Sequence, residues 1–153
     1  MTSATNDNER LALAVRDLVL AVEHYRVSFA GSRLELGTTE VVALGHLYVD
    51  GPLTAAQLAG ELAITSASAT ELVDRLEHSG YARRGPHPSD RRKRLVTLTS
   101  RGQQTLNDLY GRLGAELSPV YAGLSAEQQQ GIDRFLAVAS TRIAAITIDP
   151  DGA

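Results

Sequence analysis

The chain has no cysteine, and its one methionine stands at position 1. Without thiols there is no disulfide framework, no thiol switch and no thiolate-bound metal. Methionine oxidation is excluded as a regulatory handle for the same kind of reason. No apolar run approaches the roughly 18 residues of a membrane span. The opening "MTSATNDNER" is polar and carries no apolar signal region. The expectation is a soluble cytoplasmic protein. Its four histidines, His24, His46, His78 and His87, show neither HxxxH nor HxH spacing, so no metal site is expected. No nucleophile–base pair and no phosphate loop is visible, which leaves no enzyme and no cofactor to predict.

What is abundant is positive charge in one place. Residues 81–101 hold seven of the fifteen Lys and Arg side chains and one of the eighteen acids, a local charge of +6. The remainder of a chain of net charge −3 is therefore at −9. Such asymmetry points to an electrostatic partner at the basic stretch, with nucleic acid the usual one. The acidic remainder argues against indiscriminate polyanion binding, because it repels phosphate.

The 153 residues suffice for one domain or two small lobes. Leu11, Val15, Leu18, Val22, Tyr25 and Phe29 recur in steps of four and three, a heptad-like helical stripe. The link "AGSRLELG" is expected to end it. Thr38 or Thr39 is expected to cap a second helix running to about Val49, with Val42, Leu44 and Leu47 apolar. Thr54 and Gln57 fit a capping box at the head of a short helix, 54–62. After the turn "AIT", Thr65 caps a further helix, 66–79, that buries Ala69, Leu72, Val73 and Leu76 and stops at Gly80. Two short helices around a tight turn make a helix-turn-helix.

"YARR", "GPHPSD" and "RLVTLT" then read as strand, turn and strand. The fold class is mainly α with some β: a winged helix-turn-helix whose wing is two-stranded. Beyond Thr99 two more helices follow. The first carries Leu106, Leu109, Leu113, Leu117 and Val120, with a kink or end near Pro119 and Gly123. The second opens on a Ser125–Gln128 capping box and carries Ile132, Phe135, Ala139, Ile143 and Ile146. "TIDPDGA" is expected to fray.

These residues resemble the multiple antibiotic resistance regulator (MarR) family over nearly the whole chain. The wing signature is similar at Asp90, Arg92, Leu98, Thr99 and Gly102, and the Leu-Val-Asp-Arg-Leu-Glu segment at 72–77 with Gly80 also matches. The resemblance implies a homodimeric repressor on a pseudo-palindromic operator in double-stranded DNA. Residues 1–37 and 101–153 would be dimerisation helices, and 38–100 the DNA-binding lobe. It further implies a small aromatic or phenolic effector, bound beside the first, second and fifth helices. Arg16, His24, Tyr25, His46 and Tyr48 are the candidates to line that crevice. The alternative is a winged helix that docks protein without specific DNA binding; seven bases on the hairpin argue against it.

For DNA contact, the short hydroxyls Ser66, Ser68 and Thr70 open the recognition helix and can donate to phosphate or base edges. Arg75 and Arg84 are further candidates. Arg92 suits a narrow minor groove. Arg91, Lys93 and Arg94 suit phosphate. Asp90 is expected to organise the wing by holding Arg92 through charge-assisted hydrogen bonds. Glu71 departs from the family pattern, where a basic or polar residue is usual. It can accept from cytosine N4 or pair with a wing arginine, and the pairing is the favoured reading.

Overall fold

The computed structural model describes the backbone of residues 2–33 and 36–146, and the side chains of 6–31 and 36–146. The expected tail at 147–153 and part of the expected link after the first helix lie outside the described residues. The chain forms two compact units, residues 1–111 and residues 112–153.

The first unit begins with α1 (Thr2–Arg33), longer than its apolar stripe. The helix runs through Gly31 instead of ending in the link. One helical glycine costs only about 1 kcal/mol, and Phe29 and Ala30 are anchored in the core. Burial along the stripe is graded: Leu11 and Leu18 are exposed, Val15, Val22 and Tyr25 half-buried, and Phe29 buried.

α2 (Thr38–Val49) takes Gly37 as its N-cap, with no side-chain cap bond. The expected Thr38 or Thr39 cap is thus corrected. The reason lies in Glu40, whose carboxylate folds back over the helix start. A Cβ on Gly37 would meet Glu40 Oε2 at 2.6 Å. Val41, Ala43, Leu44 and Leu47 are the buried apolar positions of α2, and Val42 is only half-buried.

A two-residue strand, β1 (Leu53–Thr54), leads into α3 (Ala55–Glu61), and both halves of the Thr54–Gln57 capping box are formed. The connecting turn places Ala63 at φ 50, the one described non-glycine with positive φ. α4 (Ser66–His78) is capped by Thr65, whose hydroxyl accepts from the Ser68 N–H at 3.1 Å. Its end is closed by Gly80 at φ +74. The Gly80 N–H donates to the Glu77 carbonyl and the Tyr81 N–H to that of Leu76, each at 3.0 Å. This is the paired bonding of a glycine-terminated helix.

The hairpin follows as β2 (Ala82–Pro86) and β3 (Arg94–Leu98), registered Ala82 to Leu98 and Pro86 to Arg94. The sheet has three strands in the order β1–β3–β2, all antiparallel. The expected two-stranded wing thus gains a third strand at its base.

α5 (Ser100–Ala122) contains Pro119 without breaking, and ends before Gly123. Leu106 and Leu109 join the core of the first unit with Leu44, Leu58, Leu72, Leu76 and Val96. In the second unit, α6 (Ala126–Ala144) starts on the formed Ser125–Gln128 box. There the Tyr121 hydroxyl donates to Asp133 at 2.8 Å. No side chain of α6 is buried, and Ile132, Phe135, Leu136, Val138 and Ile143 are exposed.

Candidate nucleic-acid interface

The wing and the recognition helix are tied together at the foot of the hairpin by Thr99. Its hydroxyl donates to the Gly80 carbonyl at 2.7 Å and accepts from the Gly102 N–H at 3.1 Å. Its N–H donates to the Tyr81 carbonyl at 3.0 Å. One side chain thereby joins the end of α4, the entry to β2 and the first turn of α5. Gly102 allows this approach, since a Cβ there would lie 2.1 Å from the Tyr81 oxygen. The Leu-Thr-x-x-Gly spacing in the sequence has its physical reason in this seam.

A second tie is Arg84 on β2. Its guanidinium donates to Asp74 at 2.5 Å and to Glu77, both on α4, and reaches the Thr70 carbonyl at 3.3 Å. Its backbone N–H donates to Glu77 Oε1 at 2.6 Å. Burial alone would lower the affinity of this group for its proton. The hydrogen bonds and charges of Asp74 and Glu77 outweigh that, and its pKa is raised. Arg84 was expected among the DNA contacts. Its charge is instead spent inside the lobe, where it struts the wing against the helix. The expected partner for a wing arginine was Glu71, and that too is corrected: Asp74 and Glu77 hold Arg84, and Glu71 is exposed.

The tip is a tight turn. The Lys93 N–H donates to the Asp90 carbonyl at 3.0 Å, closing residues 90–93. Asp90 Oδ1 accepts from the Arg92 backbone N–H at 3.0 Å, the local bond that favours Asp at the start of turns. The expectation that Asp90 grips the Arg92 guanidinium is therefore corrected: it fixes the backbone under Arg92. Its other oxygen lies 3.9 Å from Lys93 Nζ. Arg91 and Arg92 are left as the central residues of the turn. Arg83, Arg91, Arg92, Lys93 and Arg94 are all exposed. Among the described residues, neither Arg91, Arg92 nor Arg94 enters an ion pair. A groove of about 570 Å³ runs from Thr54 and Gln57 at the start of α3 to Arg84, His87, Lys93 and Arg94.

On α4, Ser66, Ser68 and Thr70 are exposed. Two of these hydroxyls are already engaged. Ser68 Oγ shares a hydrogen bond with Thr65 Oγ1 at 2.9 Å, and Thr70 donates to the Ser66 carbonyl at 2.9 Å. Arg75 Nε donates to Glu40 Oε1 at 2.7 Å, linking α4 to α2. Glu40 is buried while the arginine is more than half exposed. Sequence reasoning missed Glu40, Asp74 and Glu77, because each meets its arginine across the fold.

Of the five effector candidates, Tyr25 and Tyr48 both reach the 107–109 stretch of α5. Arg16 pairs with Asp17 at 2.8 Å on exposed α1, and His24 is exposed. Tyr25 donates to the Leu109 carbonyl at 2.7 Å, and Tyr48 to Asn107 at 3.0 Å. His46 lies 3.2 Å from Asp50. The sequence reading missed Tyr110, whose ring lies 5.3 Å from that of Tyr48, and Arg26, whose Nε is buried without a hydrogen-bond partner. Burial pushes the Tyr110 phenol above its ordinary value.

A family model for the MarR family matches residues 36–94, from two residues before α2 to the first residue of β3. The HTH-type transcriptional repressor YetL of Bacillus subtilis is 30% identical over 115 residues, which cover 75% of this chain and 67% of that protein. The chain belongs to the MarR family. Among its other relatives in Bacillus subtilis, the uncharacterised HTH-type transcriptional regulator YkoM is 31% identical over 91 residues. That match covers 60% of this chain and 59% of YkoM, less than two thirds of its length. Solved structures agree in fold. A MarR family protein from Bacillus stearothermophilus superposes with a TM-score of 0.77 at 19% identity, over 92% of this chain and 97% of that one. FabT of Streptococcus pneumoniae, solved in complex with DNA, gives 0.68 at 22% identity, over 95% and 100%. The family and its relatives are transcriptional regulators and not enzymes. The winged helix-turn-helix expected from the sequence is the MarR fold observed.

Proposed function

We propose that this MarR family protein is a sequence-specific DNA-binding repressor acting as a homodimer on a pseudo-palindromic operator. The observation that carries the reading is the wing tip: Arg91 and Arg92 stand at the apex of a turn closed by Asp90, outside any ion pair among the described residues. A guanidinium presented this way suits the negative potential of a narrow minor groove. The exposed face of α4 would lie in the adjacent major groove. The DNA complex of FabT and the naming of YetL as a repressor support the reading.

Homodimerisation is supported by exposed apolar side chains on both terminal helices. Leu11, Leu18, Val19 and Leu20 of α1 and Ile132, Phe135, Leu136 and Ile143 of α6 are each about half or more exposed, except Ile132 and Phe135, which are a little less. Faces of this kind mark association surfaces. Residues 1–37 and 101–153 would supply the dimer contacts, with 38–100 reading DNA. Half-site centres would then lie about 10–10.5 bp apart. A small aromatic or phenolic effector is supported by the Tyr48–Tyr110 pair and the buried Arg26 Nε. Among the described residues no helix is long and apolar enough to cross a membrane, and the cytoplasm is the compartment where such a repressor would meet its operator.

The test is selection of bound duplexes from a random pool, followed by binding at several salt concentrations. Enrichment of a two-fold symmetric site is expected, with affinity falling steeply as salt rises. Arg92→Ala should weaken the selected site by about 1–3 kcal/mol, most where flanks are A·T-rich. Lys93→Ala and Arg94→Ala should each lower the salt slope by about one unit. A pool that shows no enrichment and no salt dependence would overturn the reading. Screening small phenols for release of the selected duplex tests the effector.

A further inference from the structure

The face of α4 opposite the core can be read from its buried residues. Ala69, Leu72, Val73 and Leu76 point inward. With about 100° between successive residues, the opposite stripe is Ala67, Glu71, Asp74 and His78, all exposed. Asp74 is committed to Arg84 at 2.5 Å. His78 lies in the last turn, bordering a cavity with Leu36, Glu40 and Arg101. Ala67 offers only a methyl group. Glu71 is therefore the one charged side chain in the first two turns of this stripe, and among the described residues it makes no hydrogen bond or ion pair. The N-terminal part of a recognition helix is the part that meets base edges.

An uncompensated carboxylate on a surface that meets phosphate is unfavourable unless it receives a hydrogen bond there. A carboxylate can only accept. In the major groove, guanine and thymine present acceptors to it. Adenine presents its amino donor beside its own N7 acceptor, whereas cytosine presents its N4 donor with no acceptor on its own major-groove edge.

Resting on the DNA-binding reading above, we propose that Glu71 is a specificity-determining residue. Its carboxylate accepts from N4 of one cytosine in each half-site and excludes guanine and thymine at that position. The exclusion is as useful as the attraction, since specificity is a difference between affinities.

The experiment is duplex selection with the full-length wild type, Glu71→Gln and Glu71→Ala. Glu71 is exposed, so the variants should melt with the wild type. The wild type should enrich one cytosine per half-site at symmetric positions, and guanine or thymine there should weaken binding about ten- to a hundredfold. Glu71→Gln should move the preference to adenine, which Gln reads through N6 and N7. Glu71→Ala should lose the preference at that position alone. If Glu71→Ala keeps the cytosine, or tightens every duplex by one common factor, the acid only repels DNA and the proposal fails while the DNA-binding reading stands. If Glu71→Ala instead alters only the A·T flanks, Glu71 acts through the wing and the proposal again fails. A wild type that enriches nothing would overturn both readings together.

Discussion

Gly102→Ala is a severe test of the seam at the foot of the wing. The new methyl would lie 2.1 Å from the Tyr81 carbonyl oxygen and 3.1 Å from Leu98 Cδ2. Carbon and oxygen ordinarily approach no closer than about 3.3 Å, so the start of α5 must retreat from β2 by roughly 1 Å. That retreat stretches the bond that the Thr99 N–H gives to the Tyr81 carbonyl at 3.0 Å. Losing it costs about 1 kcal/mol, and the overpacking costs about 1–3 kcal/mol more. Alanine returns about 1 kcal/mol of helix propensity. The net loss is about 1–3 kcal/mol, or roughly 2–12 °C in Tm for a chain of this size. The same substitution at Gly60, an exposed helical position where an added Cβ meets nothing within 4 Å, is the control. It should leave stability unchanged or raise it by up to about 1 kcal/mol. Thermal unfolding followed by circular dichroism, at matched protein concentration, reads both. A Gly102→Ala protein that melts with the wild type would refute the described closeness of α5 to Tyr81.

Arg84→Met should destabilise by about 1–3 kcal/mol, the range for lost hydrogen bonds to charged groups. Adding Asp74→Asn and Glu77→Gln should recover part of that loss, and urea unfolding that shows simple additivity would speak against the strut. Asp90→Ala should weaken operator binding, although it removes a negative charge. Asp90→Asn should bind nearly as the wild type, because an amide oxygen still accepts from the Arg92 N–H. A tighter-binding Asp90→Ala in a fluorescence anisotropy titration would contradict this. Phe135→Glu on the exposed face of α6 should convert a dimer to a monomer at micromolar concentration, and light scattering that shows no change would count against that face as an interface. Burial holds the Tyr110 phenol above its ordinary value of 10.0. Its contribution to stability is therefore complete below that pH and is lost as pH rises through the folded-state pKa. Tyr110→Phe should remove the late part of the alkaline phenolate titration; loss of the early part would refute the assignment.

Local features of the fold were legible in the sequence because their causes are local. The boxes at Thr54–Gln57 and Ser125–Gln128 and the glycine stop at Gly80 each rest on residues within a turn of one another. β1 was not legible, because two residues carry no periodicity and exist as a strand only through Val96 and Leu95. The missing cap at Thr38 depended on Glu40 turning back toward Gly37, which follows from its meeting Arg75. The wing showed the same division. The basic tip was visible in composition, whereas the backbone role of Asp90 was not, and Arg84 was misread because its partners lie seven and ten residues away on another element. Charge in a sequence tells how much is present but not which charges are already answered within the fold.

The strand order β1–β3–β2 leaves β2 at one end of the sheet, where the outward Arg84 N–H is taken by Glu77 of α4. Open edges invite a second copy to pair and aggregate. Here the edge is only five residues long, ends at Pro86 and displays the charge of Arg83. Proline and like-signed side chains are both deterrents to edge-to-edge pairing. The cations of the wing thus have a second consequence, keeping the sheets of neighbouring molecules apart at high concentration. DNA-binding-deficient variants are therefore better made at Arg91 and Arg92 on the turn than at Arg83 on the strand, where neutralisation would open the edge to self-association.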